Sequence, residues 1–202
     1  PVNAEEVLAG LRHGVVTAID LLRVGVDGRE CYCATVATAG NADRVIESIG
    51  DDDKQRWGAW CYLRAALPVM ADLDACEVRV SFDGGPARPR RLWNVIVANG
   101  RYAGGGLDVA SRARLDDGLL DAVLIEEGAG LDLAGLATEF LLGDYLQHER
   151  VTFRQARRLD VESDAPLRFL VDGEPAEGRV FRFEAVPGAL KVIIPWTGGE
   201  PG

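Results

Sequence analysis

Apolar and polar residues alternate with a period of two along most of this chain, and the period lengthens to that of a helix in three places. Alternation predicts strands over Val15 to Val26, Cys31 to Ala37, Val78 to Phe82, Leu119 to Ile125, Val151 to Val161, Leu167 to Val171, Val180 to Ala185 and Leu190 to Ile194. The continuous apolar run Leu92 to Ala98 predicts a buried strand. Helical spacing predicts a short helix capped by Asn3 and ending near Gly14, with Glu5 and Glu6 in its first turn. A second helix is predicted from about Lys54 to Met70, carrying Trp60, Leu63 and Leu67 and kinked or ended by Pro68. A third, from about Asp132 to Leu146, buries Leu133, Leu136 and Phe140. Asp-Gly turns recur at Asp27, Asp83, Asp117 and Asp172, and no strand-helix-strand series repeats. The expected fold is mainly β with flanking helices (α+β), built on antiparallel strands, with no internal repeat or linker.

One carboxylate breaks the pattern. Asp20 shares a strand face with Val16, Ala18, Leu22 and Val24, so it points where core residues point. A structural hydrogen-bond acceptor is preferred over a cleft residue.

Composition narrows the function classes. Lys plus Arg number 22 against 32 Asp plus Glu, a net charge of −10, which is the wrong sign for a chain held to nucleic acid by its overall field. The best candidate for a spanning helix, Ala59 to Leu73, is interrupted by Arg64, Pro68 and Asp72. The acidic start PVNAEEVLAG lacks the pattern of an export signal, and the sole Met is Met70, so the sequence is expected to be trimmed before Pro1 or to be a piece of something longer. Cys31, Cys33, Cys61 and Cys76 show no CxxC spacing and read as buried reduced thiols, which suits a cytoplasmic protein. His13 and His148 sit near predicted helix ends and read as dipole partners or surface residues.

Two stretches could carry chemistry. Asn99 to Asp121, NGRYAGGGLDVASRARLDDGLLD, holds three successive glycines and a double aspartate at a turn. Asp117 with the carbonyls around it could supply the hard oxygen ligands that Mg²⁺ or Ca²⁺ prefers, and a plain Asp-Gly hairpin accounts for the same residues. In FLVDGEP, Asp172 and Glu174 place two carboxylates at a turn held by Pro175, which suits a general base near a cation and suits a solvated turn equally.

Four segments in register, NGRYAGGG, ARLDDGLLDAVLI, VDGEP and EAVPGALKVIIPW, with ATAGNADRV and AIDLLRV as weaker matches, make the chain resemble the C-terminal part of the bacterial diacylglycerol kinase-like lipid kinases. That family also includes sphingosine and ceramide kinases. The resemblance covers nearly the whole chain and implies that residues 1–202 are the substrate-side antiparallel β-sandwich lobe of a two-lobed lipid kinase. It makes Asp172 the match to the acceptor of the lipid hydroxyl proton, with Glu174 in support. Asp117 through its side chain, and Arg114 and Leu119 through backbone oxygens, match a magnesium site. Asn99, Gly104, Gly105 and Gly106 would line the interlobe cleft.

A GGDGT-type phosphate loop and a GTxNDFA-like segment are missing from this sequence, so the nucleotide-binding α/β lobe is expected to be absent and ATP to be bound mainly by it. The implied cofactor is Mg²⁺, with ATP as cosubstrate. The implied partners are a lipid substrate, the missing N-terminal lobe and, through exposed interlobe surface, a second copy in a homodimer. The arginines of ARPRR (Arg88, Arg90, Arg91) and FRQARR (Arg154, Arg157, Arg158) read first as solvated loops and second as a patch for anionic headgroups, placing the protein in the cytoplasm or peripherally at the inner membrane face. Two alternatives accompany the kinase lobe: a noncatalytic lipid-binding or regulatory module, and a kinase of a soluble substrate such as NAD.

Overall fold

A computed structural model describes residues 14–41, 74–103, 106–128, 135–136, 139–140 and 145–194. The helices predicted near Asn3 and over Lys54 to Met70 lie outside these residues, as do His13 and Cys61. The third predicted helix is seen as helical backbone at 135–136 and 139–140, and a 3-10 turn follows at Tyr145–Gln147.

Among the described residues the fold is β. Its strands are β1 (Val15–Val26), β2 (Arg29–Cys33), β3 (Val36–Gly40), β4 (Cys76–Phe82), β5 (Arg88–Ala98), β6 (Tyr102–Ala103), β7 (Leu107–Asp108), β8 (Leu120–Glu126), β9 (Val151–Ala156), β10 (Arg158–Val171) and β11 (Glu174–Ile194). One antiparallel sheet runs β2-β1-β11-β10-β3-β5-β8-β9, with β4 also between β10 and β5, and β6 and β7 make a separate ribbon.

Strands β3 and β4 occupy successive stretches of one strand line. Along β5, Val36 to Gly40 pair with Ala98 to Asn94, and Cys76 to Val80 continue with Leu92 to Arg88. Residues 41–75 therefore interrupt a single line, and Asn41 closes the gap. Its backbone N–H reaches Asn94 Oδ1 at 2.6 Å, and its Nδ2 donates to the carbonyls of Asp74 and Trp93 at 3.0 Å each.

The inner face of the sheet encloses the main core, to which nearly every long strand contributes. Phe169, Phe181 and Phe183 are fully buried at its centre, with ring centroids 4.4 Å and 5.1 Å apart for the two pairs that include Phe169. A second core lies on the opposite face of β3, β5, β8 and β9, where Trp93, Ile96, Val123 and Ile125 are covered by Val109, Leu136 and Tyr145.

Four sequence expectations need correction. The strand predicted over Cys31 to Ala37 is broken at Ala34 and Thr35, because those N–H groups turn to the Asp172 carboxylate while the chain moves from β1 to new partners. The strand predicted over Val151 to Val161 breaks at Arg157, where the Asp83 carboxylate takes the N–H groups of Arg157 and Arg158. Val16 and Ala18 are exposed, because the pairing of β1 with β11 shifts between Ile19 and Leu21 and the ribbon beyond projects from the core. Cys31 is exposed on edge strand β2, whereas Cys33 is buried.

Candidate functional site

Three of the Asp-Gly pairs share one local geometry. Asp27, Asp83 and Asp172 have φ of 45°, 53° and 49°, and the glycines after them 87°, 72° and 90°, the left-handed pair that a type I′ turn requires. Each aspartate also reaches a neighbouring segment. Asp27 accepts from the N–H of Arg179 at 3.1 Å and of Val180 at 3.0 Å, and Asp83 from Arg157 at 2.9 Å and Arg158 at 3.0 Å.

Asp172 carries this device furthest. Its Oδ2 accepts from Ala34 N at 2.6 Å, and its Oδ1 from Thr35 N at 2.9 Å, the Thr35 hydroxyl at 2.6 Å, Val36 N at 3.2 Å and the Cys33 thiol at 3.4 Å. Burial acts against the charged form, but the Thr35 hydroxyl and the three N–H groups outweigh it and hold the carboxyl below its usual value. Burial, with the nearby Asp172 carboxylate next, pushes the Cys33 thiol far upward. Glu174 is exposed at the start of β11, paired across the turn with Val171.

The Asp117 turn is different, for only its glycine, Gly118, has a positive φ, 72°. Asp117 Oδ1 accepts from Leu119 N at 3.0 Å, and its Oδ2 lies 3.5 Å from Gln155 Nε2. Gln155 Nε2 also donates to Asp121 Oδ1 at 3.3 Å, across the β8–β9 pair. Asp121 is fully buried and its Oδ2 has no partner. Burial, with the charge of Asp117 next, pushes its carboxyl up to about 6. An open groove of about 800 Å³ beside the turn is lined by Asp116, Asp117, Arg157, Arg158 and Glu184 among others.

The residues of this turn fit a hard cation in charge and donor type. Two carboxylates lie close together, one with an unsatisfied buried oxygen, and Arg114 and Leu119 flank Asp117 in the same loop. The Arg114 guanidinium pairs with Asp116 at 3.3 Å. Among the described residues no cluster of three or more His, Cys, Asp or Glu surrounds a metal position.

The remaining cleft residues divide. Gly104 and Gly105 lie outside the described residues, and Gly106 is exposed with a φ of 101°. Asn99, expected to line the cleft, is completely buried. Its Nδ2 donates to the carbonyls of Asp20 at 2.8 Å and Ala34 at 2.9 Å, while its own N–H and that of Gly100 reach Thr35 O. Asp20 Oδ2 in turn accepts from Gly118 N at 2.7 Å. A continuous run of hydrogen bonds thus joins Asp172, through Ala34, Asn99 and Asp20, to the Asp117 turn.

Sequence reasoning placed Asp20 as a structural acceptor but missed Thr35, Asp121 and Gln155. A charged residue inside LLDAVLI was a visible signal for Asp121. Nothing in the sequence marked Thr35 or Gln155, whose partners are distant in the chain.

Residues 34–194 match the family model described as the YegS C-terminal NAD kinase beta sandwich-like domain. The chain belongs to this family. Among curated relatives of the YegS type, it is 30% identical over 201 residues to a probable lipid kinase YegS-like protein of Stenotrophomonas maltophilia and 32% identical over 201 residues to one of Xanthomonas axonopodis pv. citri. Each alignment takes in 96% of this chain and 63% of the relative, so the chain spans less than two thirds of their length. In structure it is similar to a putative diacylglycerol kinase from Bacillus anthracis, with a TM-score of 0.67 at 17% identity over 89% of this chain and 57% of the other. The shared fold is the β-sandwich of the YegS C-terminal domain, as the four sequence segments implied.

The arginine groups are largely committed. Arg90 pairs with Glu126 at 2.6 Å, Arg91 with Glu127 at 2.7 Å and Arg158 with Asp160 at 2.9 Å, and Arg154 lies over the Phe82 ring at 4.5 Å. No helix among the described residues is long and apolar enough to cross a membrane.

Proposed function

We propose that this chain is the C-terminal, substrate-side lobe of an ATP-dependent lipid kinase that phosphorylates the hydroxyl of a diacylglycerol-like or sphingoid lipid, with ATP bound mainly by a lobe outside these 202 residues. The observation that carries the reading is the hydrogen-bonded run from Asp172 to the Asp117 turn, which gives two acidic turns one rigid frame. The names of the curated relatives support the substrate class.

In this reading Asp172 accepts the hydrogen of the lipid hydroxyl. A carboxylate offers about four lone-pair positions. Oδ1 takes several donors here and Oδ2 a single N–H, so Oδ2 is the oxygen open to substrate. Its low basicity suits phosphoryl transfer, where bond breaking to the leaving group runs ahead and positioning outweighs proton abstraction. Glu174 adds a second carboxylate beside it. Asp117, with the backbone oxygens of Arg114 and Leu119, would hold Mg²⁺, which when bound supplies positive charge against phosphoryl oxygens.

One observation favours a second reading, a noncatalytic lipid-binding or regulatory module: Asp172 caps backbone N–H groups as Asp27 and Asp83 do, and needs no catalytic role to account for it. The complete protein, given labelled ATP with diacylglycerol, sphingosine and NAD side by side, separates these. Labelled lipid phosphate is expected, falling by about 10² or more in Asp172→Asn and little in Asp83→Asn. Transfer to NAD alone would replace the lipid by a soluble substrate, and no transfer to any acceptor would leave the binding module.

A further inference from the structure

Gly25 stands inside the twelve-residue strand β1, where a glycine weakens pairing and often marks a place that a ligand approaches closely. The fold does not require it. Its φ lies outside the left-handed region, and a Cβ there would come no nearer than 3.7 Å to Arg182 Cβ, an ordinary contact. The missing side chain leaves the floor of a groove of about 500 Å³ on the sheet face opposite the main core, bordered by β2, β1, β11 and the start of β10.

Strand register builds the walls of this groove. Arg23, Glu184 and Arg158 are direct cross-strand neighbours in one row, and Gly25, Arg182 and Asp160 in the next. Asp160, whose side chain is 13% exposed, accepts from Arg158 Nε and Nη2 at 2.9 Å each and from Arg182 Nε at 3.0 Å. Arg23 Nη2 donates to Glu184 at 2.6 Å. A guanidinium carries five N–H donors, so each of the three arginines is oriented by a carboxylate and keeps most of its donors. Arg29 and Glu30 add one charge of each sign from β2, and the Asp27 carboxylate at the groove's end is capped by the N–H groups of Arg179 and Val180. Arg158 and Arg182 share the single charge of Asp160, which leaves positive charge over beside the uncharged floor. A network that served only to join strands would give each guanidinium its own carboxylate and would place a side chain at position 25.

We propose that this groove binds a phosphate group, taken between Arg182 and Arg158 over Gly25 with Arg23 at the wall. Guanidinium groups fit phosphate oxygens through paired N–H donors, and a carboxylate that fixes two of them in advance lowers the cost of ordering them on binding. The group is a phosphomonoester, carried by a lipid or by a soluble compound. Asp116 and Asp117 border the neighbouring groove, which shares Arg158 and Glu184 with this one, so an occupant here lies beside the Asp117 turn without using its carboxylates.

Titration of the chain with glycerol 3-phosphate, at an ionic strength held constant with chloride and followed by the arginine Nε–H resonances, tests this. Saturable shifts at Arg23, Arg158 and Arg182 are expected, and shifts that do not saturate overturn the proposal. Arg182→Gln is expected to weaken binding by about 10-fold or more. Gly25→Val keeps every arginine but fills the floor, and is expected to weaken binding as much with no loss of melting temperature, since a β-branched residue suits a strand. Arg79→Gln, which breaks exposed pairs with Glu162 and Asp164 on the same sheet, is expected to leave the affinity within about two-fold of wild type. Wild-type affinity in Gly25→Val overturns the proposal, and this variant decides alone if Arg182→Gln does not fold. Cosedimentation with vesicles of phosphatidylcholine and phosphatidic acid identifies the carrier. Retention that Gly25→Val abolishes assigns the phosphate to a lipid, and glycerol 3-phosphate binding without retention assigns it to a soluble compound.

Discussion

Asp172 meets the N–H groups of Ala34, Thr35 and Val36 much as Asp27 meets Arg179 and Val180 and Asp83 meets Arg157 and Arg158. Shape alone suggests that Asp172→Asn would spare stability, because the amide is isosteric and asparagine tolerates the turn. The hydrogen bonds predict otherwise, since an amide has one acceptor oxygen where five donors converge. Asp172→Asn is expected to lower unfolding free energy by about 1–3 kcal/mol in urea titration. The depressed carboxyl pKa also fixes a sign. Its stabilisation is present above the unfolded value near 4 and is lost as pH falls through the lower folded value, so the acid limb of the stability profile should be shallower in the mutant. An unchanged acid limb would show that the carboxylate is not held by these donors.

Among the elements, the joint between β3 and β4 is the least forgiving. Gly40 has a φ of 100°, and a Cβ there would stand 2.2 Å from Trp93 O and 2.8 Å from Asn94 Oδ1. Gly40→Ala is expected to cost about 2 kcal/mol or more, through left-handed strain and a backbone clash together, and a melting temperature within a degree of wild type would refute this. The strands themselves were legible, because a half-buried strand writes its period into the sequence. Their breaks at Thr35 and Arg157 were not, since each is made by a carboxylate more than 70 positions away that takes N–H groups from the ladder. The continuity of β10 and β11 was equally hidden, because exposed residues 164–166 and the Pro187-Gly188 bulge imitate strand ends.

At the scale of the whole molecule, the ribbon formed by the start of β1 and the end of β11 leaves Val16 62% and its partner Ile193 47% exposed. Paired apolar side chains in water favour association. Sedimentation of the chain is expected to show concentration-dependent self-association that Val16→Lys with Ile193→Glu weakens, and a strictly monomeric wild type would remove the expectation. The same chain given ATP and lipid should show no steady turnover, because the glycine-rich phosphate loop is not among its residues.

The sequence by itself determined the β character, the Asp-Gly turns, the burial of Asp20 and, through four segments in register, the family. Those features are local or are carried by short strings, so neighbouring residues suffice to specify them. Only the tertiary structure decided that Asn99 is enclosed, that Asp172 is held by the N–H groups of Ala34 to Val36, and that Asp121 shares Gln155 with Asp117. Each of these depends on which strands become neighbours. Pairing is set by burial over the whole sheet, and a hydrogen bond between residues more than 130 positions apart, such as Ala34 to Asp172, leaves no periodic trace in the chain.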